Sequence, residues 1–465
     1  MANSLITEPL GLFGWSHLEP VILAALASES PMLLIGKHGS AKSFILERLA
    51  ESLNMEYRCY NASLINYDDL VGIPVPINNN TSLSYISNPN SIWDAEVVFI
   101  DELNRTKPEL QNKLFPIIYD KRVQGINLNK LKYRWAAMNP PSKDDEDDDL
   151  SYIGASPLDP ALADRFPFII EVPTWDDLND SDKKKMLFDN HLGKHDFPVG
   201  IHELIDKTKE CYKTFVETNE ESFSKYIIIL MDLLKNSFGY ISARRATMLE
   251  DSLFYLYAAF KVINEYFNNG VLFHDVAYLH IQNTLPNLAN ETIDKTLLIN
   301  ICQQAIQLSK LEDSIEKDIL LIADPVERLK VLIKNKKTVD IDIVNDTIVK
   351  SLSEISNSKI RRAMAFFAYY SFRSNRNIHA AIMETMANEI RPMLKQRKYS
   401  NLEKLPNKRC ADTVDQLISQ VSYSESYRLY LKNYLCSFLP GEYIDEDEAR
   451  SIFTFFIKTW EELNL

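Results

Sequence analysis

Residues 32–43 read MLLIGKHGSAKS, and this stretch decides the fold of the first part of the chain. The four apolar residues 32–35 are typical of a short strand that is buried on both faces of a sheet. A glycine-containing loop follows, and from Lys42 onward apolar residues recur on one face of a helix. A loop of this kind between a buried strand and a helix is the setting of a phosphate-binding P-loop. The stretch therefore predicts an α/β domain that binds a nucleotide.

The predicted loop consists of Gly36, Lys37, His38, Gly39, Ser40, Ala41, Lys42 and Ser43. Its glycines let successive backbone N–H groups point at phosphate oxygens, and the helix adds its positive N-terminal end. Lys42 is expected to reach the β- and γ-phosphates of ATP, and the Ser43 hydroxyl to bind Mg²⁺. Ala41 replaces the second glycine of the P-loop consensus GxxxxGK(S/T). We expect an ordinary negative φ at Ala41, because Gly39 allows the loop to bend. The alternative is an accidental turn that contains a lysine.

Polar side chains also end two later strands. Residues 97–102 read VVFIDE, and carboxylates at the end of a buried parallel strand lie where a ligand binds in an open sheet. Asp101 is expected to bind Mg²⁺ through its water shell, and Glu102 to act as the general base on the attacking water. Asn139 follows the predicted strand 133–138 and is expected to orient that water. Taken alone, the acids are simply solvated and Asn139-Pro140 is a turn.

Strands alternate with helices through residues 1–173, which predicts a parallel five-stranded sheet between helices. The remaining strands are predicted at 55–62, 96–100 and 168–172, and an amphipathic helix carries Leu110, Leu114, Ile117 and Ile118. Helical patterns then dominate, which predicts an all-α lid at 174–290 and a mainly helical domain at 291–465. Helices are predicted at 230–234, 246–259, 260–267, 362–370 and 452–463.

Composition restricts the class of protein. There is no run of 18 apolar residues, so no membrane span is expected. The start MANSLITEPLG lacks a basic residue followed by an apolar run, so no signal peptide is expected. The five cysteines are scattered without CxxC spacing, which favours reduced core thiols in a cytoplasmic protein and disfavours a zinc site. The acidic run 144–149 (DDEDDD) is expected to be a solvated loop tip rather than a metal site.

The formal charge of −14 disfavours a broad nucleic-acid surface. One basic cluster could still form a local patch, namely Lys359, Arg361, Arg362, Arg373 and Arg376. The simpler interpretation of this cluster is a solvated helix face.

Several segments together resemble the MoxR family of AAA+ ATPases. They are GKHGSAKS at 36–43, DELNR at 101–105, AAMNPP at 136–141, LDPALADRF at 158–166 and ISARRATML at 241–249. The resemblance covers residues 10 to about 288 in the family's order, and residues 289–465 match nothing recognisable. In this family the segments correspond, in order, to the P-loop, the Walker B motif, the sensor 1 strand, the stretch ending in DRF and the start of the sensor 2 helix.

The resemblance implies a hexameric ring with ATP bound between neighbouring subunits. Gly14 and Trp15, with Phe13, correspond to the family's adenine contact. Arg244 corresponds to the sensor 2 arginine, with Arg245 as the near alternative. Arg165 is the candidate arginine finger, against a structural salt bridge, and Arg105 competes with it.

The family also carries a hairpin that faces the ring pore, and the polar stretch INNNTSLSYIS at 77–87, downstream of Asp69-Leu70-Val71-Gly72, occupies its place. Its usual glycine-rich end is replaced here by Asn88-Pro89-Asn90. A second hairpin is expected at 126–132, before the sensor 1 strand.

Three functions are compatible with these features. The first is a ring ATPase that remodels or activates a partner protein, which in this family is often a von Willebrand A-domain protein. The second is a motor subunit of a nucleic-acid-processing or restriction complex, which the net acidity disfavours. The third is a nucleotide-dependent scaffold that barely hydrolyses ATP, which the presence of Glu102, Asn139 and Arg165 disfavours.

Overall fold

The computed structural model describes residues 4–77, 82–86, 88–140, 157–189, 199–310, 314–375, 377–394, 416–419, 425–436 and 446–464. The acidic run at 144–149, Arg376 and Cys410 lie outside these ranges. The chain divides into two compact units, Met1–Ser309 and Lys310–Leu465.

The strands described for the first unit are Met32–Ile35 (β1), Tyr57–Asn61 (β2), Ile73–Ile77 (β3), Ser82–Ile86 (β4), Val97–Asp101 (β5), Arg122–Val123 (β6), Ile126–Asn127 (β7), Tyr133–Met138 (β8) and Phe168–Glu171 (β9). Five of them form a sheet in the order β2-β5-β8-β1-β9, and all four neighbouring pairs are parallel. The parallel five-stranded sheet predicted from the sequence is therefore confirmed. β1 and β8 are buried along their whole length; β1 is a continuous apolar run, whereas β8 also buries Arg134.

The helices of this unit are Glu19–Ala27 (α1), Lys42–Ser52 (α2), Tyr67–Val71 (α3), Pro108–Ile118 (α4), Pro160–Ala163 (α5), Asp180–Asp189 (α6), Ile201–Phe238 (α7), Ala243–Tyr266 (α8), Phe273–Gln282 (α9) and Lys295–Ser309 (α10). Short 3-10 turns occur at Ser16–Leu18, Ile92–Asp94, Leu103–Arg105, Trp175–Asp177 and Pro286–Ala289. The four apolar residues of the predicted amphipathic helix, Leu110, Leu114, Ile117 and Ile118, are all buried on α4.

The helical part of the first unit differs from the sequence-based expectation. Residues 246–259 and 260–267 were expected as two helices, but both belong to α8, which continues to Tyr266. Residues 230–234 are only the end of α7, which has 38 residues. α10 packs against α7 and α9 and belongs to the first unit, although it follows the boundary expected at 290/291.

Two antiparallel hairpins accompany the sheet. β3 pairs with β4, with Ile77 opposite Ser82, and residues 78–81 between them lie outside the described ranges. β6 pairs with β7, so the hairpin expected at 126–132 begins earlier, at Arg122, and its second strand ends at Asn127.

The described helices of the second unit are Ile315–Leu321 (α11), Pro325–Lys334 (α12), Ile341–Glu354 (α13), Ser358–Phe372 (α14), Ala380–Leu394 (α15), Glu425–Cys436 (α16) and Glu446–Leu463 (α17). They share an aromatic core in which Phe367 and Phe456 lie 4.7 Å apart. Lys330 of α12, mostly buried, joins α17 through an ion pair to Glu462 (2.8 Å). The mainly helical domain predicted after the lid is thus present.

Two expectations drawn from composition can be compared with the structure. No helix in the described ranges is both long enough and apolar enough to cross a membrane. The cysteines were expected to be core thiols, but Cys59 is exposed on the edge strand β2 and Cys211 is half-buried, whereas Cys302 is buried. Cys59 and the buried Tyr60 are consecutive on β2, so their side chains point to opposite faces of the sheet.

Candidate nucleotide site

The polar residues predicted from the sequence meet at one edge of the sheet. β8 lies between β5 and β1, with Ile35 opposite Met138 and Ile100 opposite Ala136. Because the strands are parallel, the residues that follow them emerge side by side at their carboxyl ends. The P-loop, Asp101, Glu102 and Asn139 are therefore brought together from three neighbouring strands.

The curl of the P-loop depends on two left-handed residues. Gly39 has φ +76°, as expected from its lack of a Cβ atom. Ala41 has φ +62°, so the expectation of an ordinary negative φ at this position is wrong. The reason is geometric: Ala41 immediately precedes α2, and the chain turns through the left-handed region there before the helix begins. Gly36 is needed for a different reason, since a Cβ atom there would lie 2.2 Å from Val172 Cγ2.

Lys42 lies at the centre of the loop and is mostly buried. Its Nζ donates to the carbonyl oxygens of Gly36 (2.7 Å) and Lys37 (2.9 Å) and to Asn139 Oδ1 (3.3 Å). Burial lowers the pKa of Lys42, while the charges of Asp101 and Glu102 act in the opposite direction. The ammonium group is thus held by oxygen atoms that a triphosphate can replace.

The two residues predicted to bind Mg²⁺ are in contact, since Ser43 Oγ donates a hydrogen bond to Asp101 Oδ2 (2.9 Å). Mg²⁺ prefers oxygen ligands and usually takes only one or two from the protein, with phosphates and waters supplying the rest. A hydroxyl and a carboxylate beside the phosphate loop therefore fit a Mg²⁺ ion. The described ranges contain no cluster of three or more His, Cys, Asp or Glu side chains suited to a metal.

Glu102 has a strained backbone and two side-chain partners. Its φ is +56°, which is unusual for a residue with a side chain. Its Oε1 accepts from Arg105 (3.1 Å), and its Oε2 accepts from Ser63 Oγ (3.0 Å). Arg105, the competing candidate for an interface arginine, is therefore paired with the predicted base of its own chain.

Asn139 is buried, and its backbone carbonyl accepts from Asn104 Nδ2 (2.9 Å). Asn104 is itself buried within the turn that follows Glu102. The turn that carries the candidate base thus also fixes the strand end that carries the candidate water-orienting amide.

Two adjoining cavities extend from this edge of the sheet. The smaller has a volume of about 260 Å³ and is lined by residues 38–44, Asp101, Glu102, Met138 and Asn139. The larger, of about 670 Å³, is lined by residues 9–13, Trp15, the P-loop and a segment around Trp175. Phe44 lines both cavities. The polar cavity suits phosphates, and the largely apolar one suits a nucleobase.

Gly14, which was expected to contact adenine, lies against the segment after β9 and is not among the residues that line the larger cavity. It has φ +79°, and a Cβ atom there would lie 2.1 Å from Leu178 Cδ2. Only glycine fits this close approach. Trp15 and Phe13, the flanking aromatic residues expected to contact adenine, both line the cavity.

The candidate arginines lie elsewhere. Arg165 stacks over the Phe115 ring (4.3 Å) and donates to the Ala161 carbonyl oxygen. Arg244 lies over the Tyr119 ring (5.3 Å) and 4.0 Å from Asp164. Among the described residues that line the two cavities, neither arginine is present.

Arg245, the alternative to Arg244, is completely buried. It donates to Asp164 (3.1 Å) and to the carbonyl oxygens of Phe166 and Thr284 (both 3.0 Å). Burial lowers the pKa of Arg245, and the Asp164 carboxylate opposes that effect. Arg245 therefore joins α8 to the turn that carries Arg165, which leaves Arg244 as the sensor 2 candidate.

Two members of the basic cluster at 359–376 are paired with acids. Lys359 forms an ion pair with Glu448, and Arg361 forms one with Glu389 (3.1 Å). Arg373 lies over the Tyr370 ring (4.2 Å). These contacts favour the interpretation of a structural helix face over that of a nucleic-acid patch.

Sequence reasoning missed several residues of the site. Phe44 was identifiable, because it follows the P-loop serine in the exposed first turn of the helix. Ser63 and Asn104 were not, since each acts through a hydrogen bond to a residue that only the tertiary fold brings near.

The parallel sheet and the loop that follows β1 have the form of a P-loop domain. Residues 31–166 match the family model described as "AAA domain (dynein-related subfamily)". A crystal structure from Cytophaga hutchinsonii, described as a candidate ATPase, is similar with 18% identity and a TM-score of 0.44, over 64% of this chain and 92% of that one. No relative was found among curated proteins.

Proposed function

We propose that the chain is an ATPase of the MoxR-like AAA+ type. It binds ATP and Mg²⁺ at the P-loop and hydrolyses ATP between the subunits of a ring, which we expect to be a hexamer. The observation that carries this proposal is the convergence of Lys42, Ser43, Asp101, Glu102 and Asn139 on one cavity within an AAA domain. The ring would use the energy to remodel or activate a partner protein, and a von Willebrand A-domain protein is the first candidate.

In the proposed mechanism, Lys42 exchanges its carbonyl partners for the β- and γ-phosphate oxygens. Ser43 and Asp101 hold Mg²⁺, which supplies charge neutralisation at the phosphates when it is bound. Glu102 accepts a proton from the attacking water, and Asn139 orients that water. Arg105 and Ser63 each donate to one carboxylate oxygen of Glu102, so moving one of them aside opens that oxygen to the attacking water.

Two arginines complete the site from the neighbouring protomer. Arg165 and Arg244 lie near Asp164 and away from both cavities of their own chain, which supports delivery to a second subunit. Burial and the charge of Arg244 lower the pKa of Arg165, while the charges of Asp120, Asp164 and Asp159 act in the opposite direction. A positive charge at the γ-phosphate contributes about 10³–10⁵ in rate in other NTPases.

A mixing experiment tests both the chemistry and the assembly. Glu102→Gln should retain ATP binding and lose at least about a hundredfold in turnover, because the general base is gone. Arg165→Ala should bind ATP normally and hydrolyse it about a thousandfold more slowly. Mixing the two variants should restore part of the ATPase rate, since some interfaces then pair an intact Glu102 with an intact Arg165.

Arg373→Ala provides the matched control, because it also removes an arginine stacked over an aromatic ring. It should leave the ATPase rate within about twofold of the wild-type rate, as surface substitutions usually do. If mass measurements confirm mixed oligomers and the rates are merely additive, Arg165 does not act across an interface. Wild-type protein that fails to bind ATP would rule out the whole proposal.

A further inference from the structure

Glu19, the first residue of α1, has a buried carboxylate that the proposed mechanism does not use. Its side chain is 1% exposed. It accepts hydrogen bonds from the backbone N–H groups of Leu5 (3.0 Å), Ile6 (3.0 Å) and Thr7 (2.7 Å). The hydroxyls of Thr7 (2.8 Å) and Ser4 also donate to it. One carboxylate thus organises the whole turn of residues 4–7.

A buried carboxylate is costly unless it is well hydrogen-bonded, and charge-assisted bonds to N–H groups are among the strong ones. The N-terminal end of α1 adds a favourable partial positive charge. Residues 4–7 therefore have one strongly preferred conformation, which the carboxylate fixes.

The turn of residues 4–7 also fixes residues 9–13, which form one wall of the larger cavity. Leu12 N donates to the Thr7 carbonyl oxygen (2.9 Å), and Leu10 N donates to those of Thr7 (3.1 Å) and Ile6 (3.3 Å). Residues 9–13 then line the cavity together with Trp15. Glu8, within the same segment, pairs with Lys185 of α6 (2.8 Å), and the next residue, Met186, also lines the cavity.

We propose that Glu19 is a positioning residue that builds the nucleobase end of the cavity and thereby sets how much the base contributes to ATP affinity. This inference rests on the proposed function, because it assumes that the cavity holds the base of ATP. The phosphate end is built by β1, β5 and β8 and does not depend on Glu19.

The test compares ATP with inorganic tripolyphosphate, which carries the phosphates without a base. Dissociation constants for both are measured by calorimetry on the full chain, and kcat is measured at saturating ATP. Glu19→Ala should weaken ATP binding at least about tenfold, because the wall loses its anchor. The ATP affinity of Glu19→Gln should fall between those of the wild-type protein and Glu19→Ala, since glutamine keeps one acceptor oxygen. The affinity for tripolyphosphate and kcat should stay within about twofold.

Glu203→Gln is the matched control, because Glu203 is also an acid in the first turn of a helix but is exposed. Thr7→Val removes the hydroxyl that donates to Glu19 with little change of shape. It replaces Glu19→Ala as the test variant if Glu19→Ala does not fold. Unchanged ATP affinity in the folded Glu19 variants, or an equal loss for ATP and tripolyphosphate, overturns the proposal. If wild-type protein binds neither compound, the proposed function fails instead.

Discussion

Two residues with side chains adopt left-handed backbone conformations at the candidate site. Ala41 closes the P-loop at φ +62°, and Glu102 follows β5 at φ +56°. Such conformations cost of order 1 kcal/mol or more and persist where the surrounding structure imposes them. The strain in both cases lies beside the cavity that suits phosphates.

Replacing Ala41 with glycine should therefore stabilise the protein. Alanine at this φ costs roughly 1–2 kcal/mol, and the greater freedom of glycine in the unfolded chain offsets part of the gain. We expect the free energy of unfolding to rise by about 0.5–1 kcal/mol, measured by urea denaturation.

Ala50→Gly, in the helix α2 that follows Ala41, is the control. Ala50 is buried in α2 at ordinary helical geometry, so glycine there should lower the stability by about 1 kcal/mol. A loss of stability in Ala41→Gly equal to that in Ala50→Gly would contradict the assigned conformation of Ala41.

Strands and helices differed in how well the sequence predicted them. β1 and β8 were predicted with their observed bounds; β1 is a continuous apolar run, as a strand buried on both faces requires, and β8 is apolar apart from Arg134. α7 was predicted only near its end, because its buried residues alternate with many charged ones. The absence of glycine and proline from 201 to 238 was the available signal for one long helix. The site followed the same rule: residues next to a strand end were identified, and their hydrogen-bond partners from remote segments were not.

The pairing of α8 with α9 includes a buried polar contact between Ser252 Oγ and His280 Nε2 (2.8 Å). Burial and the nearby Arg245 charge lower the pKa of His280 to about 3. Between about pH 6.5 and about pH 3 the unfolded chain therefore binds a proton that the native protein does not. Stability is lost as the pH falls through this window.

We expect this histidine to cost up to about 1.4 kcal/mol of stability per pH unit below its unfolded pKa. Between pH 7 and pH 5, urea denaturation should show a loss about 2 kcal/mol larger for wild-type protein than for His280→Gln. Carboxylates that titrate in this range contribute equally to both proteins and cancel in the difference. Parallel pH profiles would show that His280 does not remain neutral in the fold.

On the scale of the whole molecule, each of the two units has its own hydrophobic core. The first unit includes α10, whose buried residues Leu298, Ile301 and Ala305 face α7 and α9. The core of the second unit is formed among its own helices. We therefore expect each unit to be stable by itself.

A chain that ends at Ser309 should fold cooperatively and bind ATP within about threefold of the full-length affinity, because the cavity residues all precede this point. Circular dichroism on heating and calorimetry with ATP measure the two properties. A chain that ends at Asn290, the boundary expected from the sequence, should unfold at a lower temperature because α7 and α9 lose their contacts with α10. Equal melting temperatures would place α10 outside the first unit.

The order of the strands has a consequence for the chain as it is synthesised. β1 and β5, which carry the P-loop and the two acids, leave the ribosome before β8, yet β8 lies between them in the sheet. A nascent chain that ends before residue 133 therefore has both motifs but no strand to align them. β8 is a fully buried central strand, so its insertion joins β5 to β1 in one step that brings together residues far apart in sequence. We expect a ribosome-bound chain to gain affinity for ATP abruptly once Asn139 has emerged, rather than gradually as each motif appears.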